Sequence, residues 1–369
     1  MQKGAKKRFG EQNKKELCQN PADFQGVCDF LRKGNICTGN FMRYLRMRFR
    51  FRSQEAISFP PNPVNTFRGA LGFQLLRIAC IQRKALASGC KGCVVFGKCA
   101  YAQCYETGQG HINEGFSRTN EDMPHLMVID TGFAGLQTLT EGSLFDFTVQ
   151  LYGCAVEASP YLIVAARNAG MTGLTQRRVP CNLEEVIDDS NARTVWSADA
   201  DQVRLPLINN LTIEEPDLVL PDDCELKMRF ITPVAFKDKA NGSLTLEPEF
   251  SRIVGSLLRR YSAFEASDGK KLNWDFAALT AVARQIRIAG MKLEPVYWER
   301  FSTRQQQRIP VSGVIGQVTY VGPVASFQDL LKAGEIIRCG RSTTFGQGKI
   351  SITCLNRLNE RKACDVFCD

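Results

Sequence analysis

The chain lacks the long apolar segments that mark membrane and secreted proteins. No run of about 18 apolar residues occurs along its length, so no membrane-spanning helix is expected. The N-terminal segment 1–17 is basic but has no apolar core, so it does not have the pattern of a secretory signal peptide. We expect a cytoplasmic protein with no membrane partner, in which residues 1–38 form a flexible basic arm.

Histidine is scarce, and one common nucleotide-binding motif is missing. The chain has 2 histidines, His111 and His125, so few side chains titrate near neutral pH. The phosphate-binding pattern G-x4-G-K-[ST] is absent, because Lys349 in the glycine-rich stretch 333–349 is followed by Ile350. The letters "KISIT" alternate like a strand, so no helix N-terminus would face a phosphate there. We expect no nucleotide cofactor.

The charge balance and the cysteine count narrow the class of protein. Lys and Arg total 47 against 38 Asp and Glu, a net charge of +9, which favours a polyanionic partner and nucleic acid first. The 15 cysteines are an odd number in a chain with no export signal, which indicates reduced thiols rather than a disulfide framework.

Two halves of the chain repeat one order of elements. The stretches "LRMRFRFR" (45–52) and "LKMRF" (226–230) alternate as strands, and an amphipathic helix follows each. Further strands, a second helix, a glycine turn and a last strand complete each half. This order predicts an α+β fold of two tandem ferredoxin-like (RRM-like) βαββαβ domains. We place the domains at 39–220 and 221–369, with the linker near Pro216–Asp223.

The two helices that follow these strands are predicted to pack in the same way. Leu71, Leu75 and Ile78 of "FRGALGFQLLRIAC" should form a core stripe, and "EFSRIVGSLLRRYSAF" has an equivalent stripe from Phe250 to Tyr261. A glycine in the middle of each helix, Gly72 and Gly255, predicts close packing at that point.

The first strand has a cationic face. Its arginines alternate with apolar residues and so lie on one side of the strand. They would repel each other without an anion, so we predict that this face contacts one; the alternative is an ordinary solvated strand face. The residues are Arg46, Arg48, Arg50 and Arg52.

A second cationic segment, "WERFSTRQQQR", runs from Trp298 to Arg308. Its arginines recur every four residues, which on a helix would form one stripe, whereas on an extended segment side chains alternate. In either case the donors suit phosphate, 2′-hydroxyl and base edges of RNA; the alternative is a solvated surface segment. The predicted contacts are Arg300, Ser302, Arg304, Gln305 and Arg308.

A cluster of cysteines between residues 80 and 104 follows the first helix. Cys90 and Cys93 form a C-x2-C pair that aims two thiolates at one metal ion, and Cys99 follows after five residues. Cys80 or Cys104 would supply the fourth ligand and close the site. We therefore predict a structural zinc, inserted in the first domain as a knuckle; the alternative is a set of buried free cysteines.

The glycine-rich stretch "AGEIIRCGRSTTFGQGK" should connect the last helix to the last strand. Gly340, Gly346 and Gly348 would let its backbone pass close to a partner. Its cations and hydroxyls can pair with phosphates, although a glycine turn needed only for the fold is the alternative. The predicted contacts are Arg338, Arg341, Ser342, Thr343, Thr344 and Lys349.

Together these motifs resemble a known family. "FRGALGFQLLR" and the cysteine cluster ending in "YAQCYE" resemble the N-terminal half of the CRISPR repeat-processing endoribonucleases, which belong to the RAMP superfamily of repeat-associated proteins. "WERFSTRQQQRIPVSGVIGQVTYVG" and "GEIIRCGRSTTFGQGKISI" resemble the C-terminal half. The resemblance spans roughly 41–354. It also implies an apolar residue at position 104, which favours Cys80 over Cys104 as the fourth metal ligand.

The resemblance implies a function. The chain would bind the repeat of a precursor CRISPR RNA and cleave within it without a catalytic metal. The RNA's own 2′-hydroxyl would attack the adjacent phosphate and leave a 2′,3′-cyclic phosphate. Such a reaction needs a base, an acid and a cation near the phosphate.

The sequence departs from the family at the first helix, where members often carry a catalytic histidine and this chain has none. His125, just before an apolar strand, is a candidate base or acid. His111 lies in a polar loop and is a further candidate. Tyr44 and Arg68 could orient the 2′-hydroxyl and stabilise the transition state.

Two other functions fit the same motifs. A non-cleaving RAMP subunit would grip RNA within a CRISPR effector complex and would share the fold and the glycine-rich stretch. A zinc-containing RNA-binding module unrelated to CRISPR would not prefer a repeat hairpin over arbitrary RNA.

Overall fold

A computed structural model describes residues 41–82, 90, 92–106, 123–132, 135–200, 202–216, 224–237, 244–302 and 307–357. The predicted basic arm 1–38, His111 and most of the predicted linker lie outside these residues. Within them, no helix is both long and apolar enough to cross a membrane.

In the first half of the chain, helices pack on an antiparallel sheet. The sheet has the order β3-β5-β1-β6-β7, with β8 paired to the start of β1, and β2 pairs separately with β4. The elements are β1 (Phe41–Ser53), β2 (Ile57–Phe59), α1 (Val64–Ala79), α2 (Ala100–Tyr105), β3 (Met127–Thr131), β4 (Gln137–Leu139), β5 (Leu144–Tyr152), α3 (Ser159–Thr172), β6 (Cys181–Asp188), β7 (Arg193–Ser197) and β8 (Asn209–Thr212).

The second half repeats this plan with a four-stranded antiparallel sheet in the order β12-β13-β9-β14. Its elements are β9 (Cys224–Val234), β10 (Phe236–Lys237), β11 (Leu244–Thr245), α4 (Phe250–Ser267), α5 (Phe276–Ala283), β12 (Arg287–Ser302), β13 (Gln307–Gly322), α6 (Gln328–Ile337) and β14 (Ile350–Arg357).

The four principal strands have the same arrangement in both halves. In the first half these strands are β1, β3, β5 and β6, and in the second half they are β9, β12, β13 and β14. In each sheet the first of the four is central, the third and the fourth flank it, and the second lies beyond the third. This is the βαββαβ, ferredoxin-like order, so the predicted fold class is confirmed.

The apolar face of β1 packs against α1, as its alternation predicted. The rings of Phe49 and Phe147 stack at 5.2 Å, and Phe67 of α1 lies 4.5 Å from Phe147. Leu71 and Leu75 are buried too, but Ile78 is 36% exposed. The prediction for Ile78 was wrong, because α1 ends one residue later and its last turn leaves the core.

The two mid-helix glycines differ. A Cβ atom at Gly72 would lie 2.7 Å from Cε1 of Tyr105, so close packing there is confirmed. A Cβ atom at Gly255 would have no described atom within 4 Å outside its own helix backbone and chain neighbours, so the prediction for that residue was wrong. The predicted apolar stripe of α4 is buried throughout: Phe250, Ile253, Val254, Leu257, Leu258 and Tyr261.

The two halves share a tightly packed boundary. The Tyr152 ring stacks on Phe264 at 4.3 Å, and its hydroxyl donates to the Ile336 carbonyl at 2.8 Å. Arg43 donates to both carboxylate oxygens of Asp268, at 2.5 and 3.1 Å. These contacts fix the second half against the first, and the glycine-rich stretch lies along the same boundary.

Candidate functional site

The glycine-rich loop, residues 338–349, connects α6 to β14 as predicted. It also reaches the first half of the chain. Gly346 has φ +81°, and a Cβ atom there would lie 3.1 Å from Val64 Cγ2 and 3.4 Å from the Ile129 carbonyl oxygen. The loop therefore packs on the start of α1 and on β3, which places it where the two halves meet.

The other loop glycines approach the protein's own backbone. Gly348 has φ +80°, and a Cβ atom there would lie 2.0 Å from the Cys339 carbonyl oxygen. At Gly340, with φ +78°, the nearest atom would be the Ala235 carbonyl oxygen at 2.6 Å. Gly348 lets the loop close on itself, and Gly340 lets the loop pass the residue that follows β9. The expectation that these glycines also serve an external partner stays a prediction.

Arg338 is an internal residue of the loop. It is 3% exposed, and its Nη2 donates to Asp130 Oδ2 at 2.7 Å while Nη1 donates to the Gly346 carbonyl at 2.6 Å. Lys349 Nζ lies 3.3 Å from the same carboxylate oxygen. Burial raises the Asp130 pKa, but Arg338 and Lys349 outweigh burial and hold that pKa below its ordinary value. Because its charge is already neutralised, we leave Arg338 out of the RNA surface.

The hydroxyl groups of the loop are mostly internal as well. Thr343 and Thr344 are buried, and Thr343 Oγ1 accepts a hydrogen bond from Nη1 of the buried Arg260 at 2.9 Å. These two threonines are therefore poorly placed to meet a phosphate. The predicted loop contacts that keep accessible side chains are Arg341, Ser342 and Lys349.

Arg68 of α1 stands beside the loop. Its guanidinium carbon lies 4.5 Å from the centre of the Tyr105 ring and 5.9 Å from the centre of the Phe345 ring. Among the described residues, Arg68 Nη1 has no hydrogen-bond partner although it is shielded from solvent. The Arg68 guanidinium therefore places a fixed positive charge next to the loop, together with an N–H donor that has no described partner.

His125 lies close to Arg68 but in an unfavourable setting for acid–base work. Burial, with added effects of the Arg68 and Arg260 charges, lowers its pKa to about 3. Its Nδ1 is buried and has no partner in the described parts of the chain. A histidine with this pKa is a neutral imidazole at neutral pH, so it lacks the acidic imidazolium proton and is a weak base.

Tyr44 does not join this group. It alternates along β1 with the buried Leu45, and β1 turns its buried face toward α1. The sheet thus lies between Tyr44 and Arg68. Burial and the charge of Asp188 raise the Tyr44 pKa above its ordinary value. The structure brings together Arg68 and His125, and leaves out Tyr44.

The cationic face of β1 is neutralised from within the sheet. Each arginine pairs with a carboxylate on β5, on β6 or in the turn after β6. The prediction that this face needs an external anion was wrong, because neighbouring strands supply the anions. The pairs are Arg46–Asp189 (2.9 Å), Arg48–Asp189 (3.0 Å), Arg50–Asp146 (3.2 Å), Arg50–Glu185 and Arg52–Glu184 (3.3 Å).

The described parts of the segment 298–308 are two paired strands and not a helix. β12 and β13 pair antiparallel, with Arg300 opposite Ile309 and Ser302 opposite Gln307. The extended alternative is therefore the right one. Arg304 and Gln305 lie outside the described residues, and the RNA contacts of this hairpin, including Arg308, stay a prediction.

Sequence reasoning did not identify a polar row that crosses the second sheet. Arg229 of β9 lies opposite Gln317 of β13 and Ser351 of β14, and Gln317 in turn lies opposite Lys292 of β12. Arg229, Gln317 and Lys292 are exposed. The signal was the alternation in "LKMRF", which puts Lys227 and Arg229 on the face away from the core.

Four of the cysteines come together. Cys80, Cys90, Cys93 and Cys99 line one cavity between the end of α1 and the start of α2. Cys104 instead is fully buried within the core of the first half. Burial, followed by the charges of neighbouring groups including the other three thiols, raises the Cys90 pKa to about 11. In the described residues no three His, Cys, Asp or Glu side chains are already arranged as a metal site.

Family models match parts of both halves of the chain. Residues 228–350, about a third of the chain, match the family model of the CRISPR-associated endoribonuclease Cas6. These residues are therefore similar to the Cas6 family. The matched region includes the polar row on β9, β12 and β13 and the whole glycine-rich loop. Residues 42–207 match a second family model, described as an N-terminal domain. No curated protein matches the chain.

Solved Cas6 structures are similar to the chain. A Cas6 product complex has a TM-score of 0.49 at 13% identity, over 84% of this chain and 100% of that one. Thermus thermophilus Cas6 has a TM-score of 0.46 at 13% identity, over 85% and 99%. A Cas6 substrate mimic complex has a TM-score of 0.44 at 15% identity, over 84% and 99%. The similarity to Cas6 rests on the family model over residues 228–350 and not on these likenesses.

Proposed function

We propose that the chain is a CRISPR RNA maturation enzyme, an endoribonuclease that binds the repeats of precursor CRISPR RNA and cleaves within them. The observation that carries this proposal is the Cas6 match over residues 228–350, which contains the loop that meets α1. The net charge of +9 also suits a polyanionic substrate.

In this proposal the RNA supplies its own nucleophile. The 2′-oxygen bonds to the adjacent phosphorus, and the bond from that phosphorus to the 5′-oxygen breaks. One product ends in a 2′,3′-cyclic phosphate and the other in a 5′-hydroxyl. The 2′-hydroxyl loses a proton and the leaving oxygen gains one, so the reaction balances without a metal or a cofactor. The protein then has two tasks, which are to align the RNA and to stabilise charge on the phosphate.

We assign the charge-stabilising task to Arg68. Its guanidinium is held against the Tyr105 ring beside the loop, and Nη1, which is shielded from solvent, has no hydrogen-bond partner among the described residues. A shift of the Arg68 side chain on RNA binding would bring this donor to a phosphate oxygen. A guanidinium keeps its proton at neutral pH, so Arg68 would act electrostatically and not as a base. His125 is nearby, but its pKa of about 3 argues against proton donation by His125.

We assign part of the RNA path to the polar row of the second sheet. Ser351 follows Lys349, the last loop residue, by two positions, so the row starts where the loop ends. Arg229 and Lys292 offer cations along the row, and Gln317 offers an amide between them. Such side chains bind phosphates and 2′-hydroxyls without the need for base-specific contacts.

The test is incubation of the purified protein with RNA that contains the repeat of its own CRISPR array, in the presence of EDTA. We expect cleavage at one position in the repeat, with a 2′,3′-cyclic phosphate on the upstream product. Binding without cleavage would favour the non-cleaving RAMP subunit instead. Products that end in a 3′-hydroxyl would contradict the mechanism.

A further inference from the structure

The four clustered cysteines surround a cavity suited to one metal ion. Its volume is about 20 Å³, which is room for one water-sized particle, and the remaining lining is largely apolar, with Leu76, Val95 and Phe96. Among the described lining residues, the four thiol sulfurs are the side-chain atoms best suited to bind a metal ion. Because all four residues already border the cavity, rotation of each side chain about its Cα–Cβ bond can bring the sulfurs inward.

The described backbone from Gly92 to Cys99 contains a series of tight turns. The Cys93 N–H donates to the Cys90 carbonyl at 3.2 Å, and the Cys99 N–H donates to the Phe96 carbonyl at 3.3 Å. Gly92 takes a left-handed conformation, with φ +73°, inside the C-x2-C turn. This geometry holds the two cysteines of the pair on the same side of the chain.

The cysteine cluster is linked mechanically to the candidate site. Cys80 ends α1, and Cys99 starts α2, so one ion bound by both would tie these two helices together. α2 ends at Tyr105, whose hydroxyl donates to the Arg68 carbonyl at 2.8 Å. The Tyr105 ring also fills the notch at Gly72, where a Cβ atom would lie 2.7 Å away.

We infer that Cys80, Cys90, Cys93 and Cys99 bind one structural Zn²⁺, and that this ion holds Tyr105 and Arg68 in place beside the glycine-rich loop. Four thiolates suit Zn²⁺, since soft sulfur ligands select it over magnesium or calcium. Tyr105 is then a positioning residue that acts through Arg68. The metal site stands independently of any activity, whereas the positioning role rests on the proposed function.

The metal site is tested by measuring the zinc content of the full-length protein after purification without added metal. We expect one zinc per chain, and loss of that zinc in Cys90→Ser and Cys99→Ser. Two matched controls should keep it: Cys104→Ala, the rejected ligand, and Cys181→Ala, a buried cysteine on β6. Wild-type protein without stoichiometric zinc, or full retention in a Cys90→Ser/Cys93→Ser variant, overturns the site. Loss of zinc in Cys104→Ala alone would assign the fourth ligand to Cys104.

The positioning role is tested with Tyr105→Phe, which keeps the ring and removes the hydrogen bond. We expect full zinc content, an unchanged KM for repeat RNA and a kcat lower by roughly fivefold, the scale of one hydrogen bond. Unchanged kcat overturns the positioning role. Zinc without cleavage in the wild type would refute the proposed function alone, and cleavage without zinc would refute the metal site alone.

Discussion

Arg338 and Asp130 form an ion pair of 2.7 Å that joins the glycine-rich loop to the opposite half of the chain. The arginine belongs to the loop and the carboxylate to the end of β3, 208 positions earlier. The pair holds the loop against β3, next to Arg68 and His125. The candidate site therefore depends on this contact between the halves, even though neither residue is proposed to touch RNA.

Loss of the carboxylate at this pair should destabilise the protein strongly. Asp130→Asn leaves the Arg338 charge buried without an anion, and we expect a loss of about 3–5 kcal/mol in the free energy of unfolding. The matched control is Glu157→Gln, which removes an exposed partner 3.4 Å from Arg43 and should cost less than about 1 kcal/mol. Urea unfolding of both variants measures the difference. An equal loss of unfolding free energy in both variants would contradict the prediction that the buried Asp130–Arg338 pair stabilises the protein more than the exposed pair.

The buried histidine should make stability depend on pH. The folded state holds His125 neutral with a pKa of about 3, while an unfolded chain binds the proton near pH 6.5. The unfolded state thus takes up protons first, so the free energy of unfolding is highest above about pH 6.5 and falls as the pH drops toward 3. Asp130, whose pKa is depressed, adds to the loss only below about pH 4. Denaturant unfolding at pH 7, 6 and 5 should show a flatter dependence in His125→Gln than in the wild type.

The same His125→Gln variant should retain cleavage of repeat RNA at neutral pH. A histidine with so low a pKa is not in its imidazolium form there, so loss of the side chain removes no effective general acid. Single-turnover cleavage rates measure this. A loss of about a hundredfold or more, the scale of general acid–base catalysis, would return His125 to the mechanism.

Removal of the Arg68 guanidinium should slow cleavage without much loss of binding. We expect Arg68→Ala to lower kcat by about 10²–10³-fold, the usual effect of losing one group that stabilises transition-state charge. Arg77→Ala is the control, since Arg77 lies on the same helix, over the exposed Phe73 ring at 5.7 Å. The proposal for Arg68 fails if both variants cleave at the wild-type rate.

The polar row of the second sheet, and not the arginine face of β1, should contribute to RNA binding. Arg229→Gln and Lys292→Gln should each weaken binding of repeat RNA and reduce the slope of log K against log salt by about one for each phosphate that the protein no longer neutralises. Arg46→Gln should leave both quantities unchanged, because Arg46 is already paired with Asp189 at 2.9 Å. A larger effect of Arg46→Gln than of Arg229→Gln would reverse this assignment.

The glycine-rich loop should not tolerate a side chain at Gly348. A Cβ atom there would lie 2.0 Å from the Cys339 carbonyl oxygen, whereas Gly269, with a similar φ of +77°, has nothing within 4 Å. Gly269→Ala should cost about 1–2 kcal/mol from conformation alone. Gly348→Ala should cost clearly more in urea unfolding, and should slow RNA cleavage because the loop must shift. Equal costs would mean that the close contact is relaxed easily.

The order of elements could be predicted from the sequence because it rests on local patterns. The period-2 alternation of "LRMRFRFR" can be seen within eight residues of sequence, and the apolar stripe of α4 within a few helical turns. The structure confirms both patterns. The repeat of that order in two halves then predicted the shared strand arrangement. The glycine-rich loop was also placed correctly between α6 and β14, since a helix period gives way there to an alternating strand.

The residues around the site were harder to predict because their surroundings come from distant parts of the chain. Arg50 lies 96 positions from Asp146, one of its partners, so no local pattern could show that the arginine face is neutralised. The low pKa of His125 comes first from burial and then from the charges of Arg68 and Arg260, which lie on α1 and α4. The surroundings of Gly255 could not be predicted from the sequence either, since only the packed structure shows open space beside it.

The measurement that tests the central claim most directly uses repeat RNA with a single 2′-deoxy nucleotide just upstream of the cut. If the RNA's own 2′-hydroxyl is the nucleophile, the wild-type protein will bind this RNA as tightly as the unmodified repeat but leave it intact. The unmodified repeat will be cut in EDTA in the same experiment. Cleavage of the 2′-deoxy substrate at the same position would contradict the account, because it would require a nucleophile other than the RNA itself.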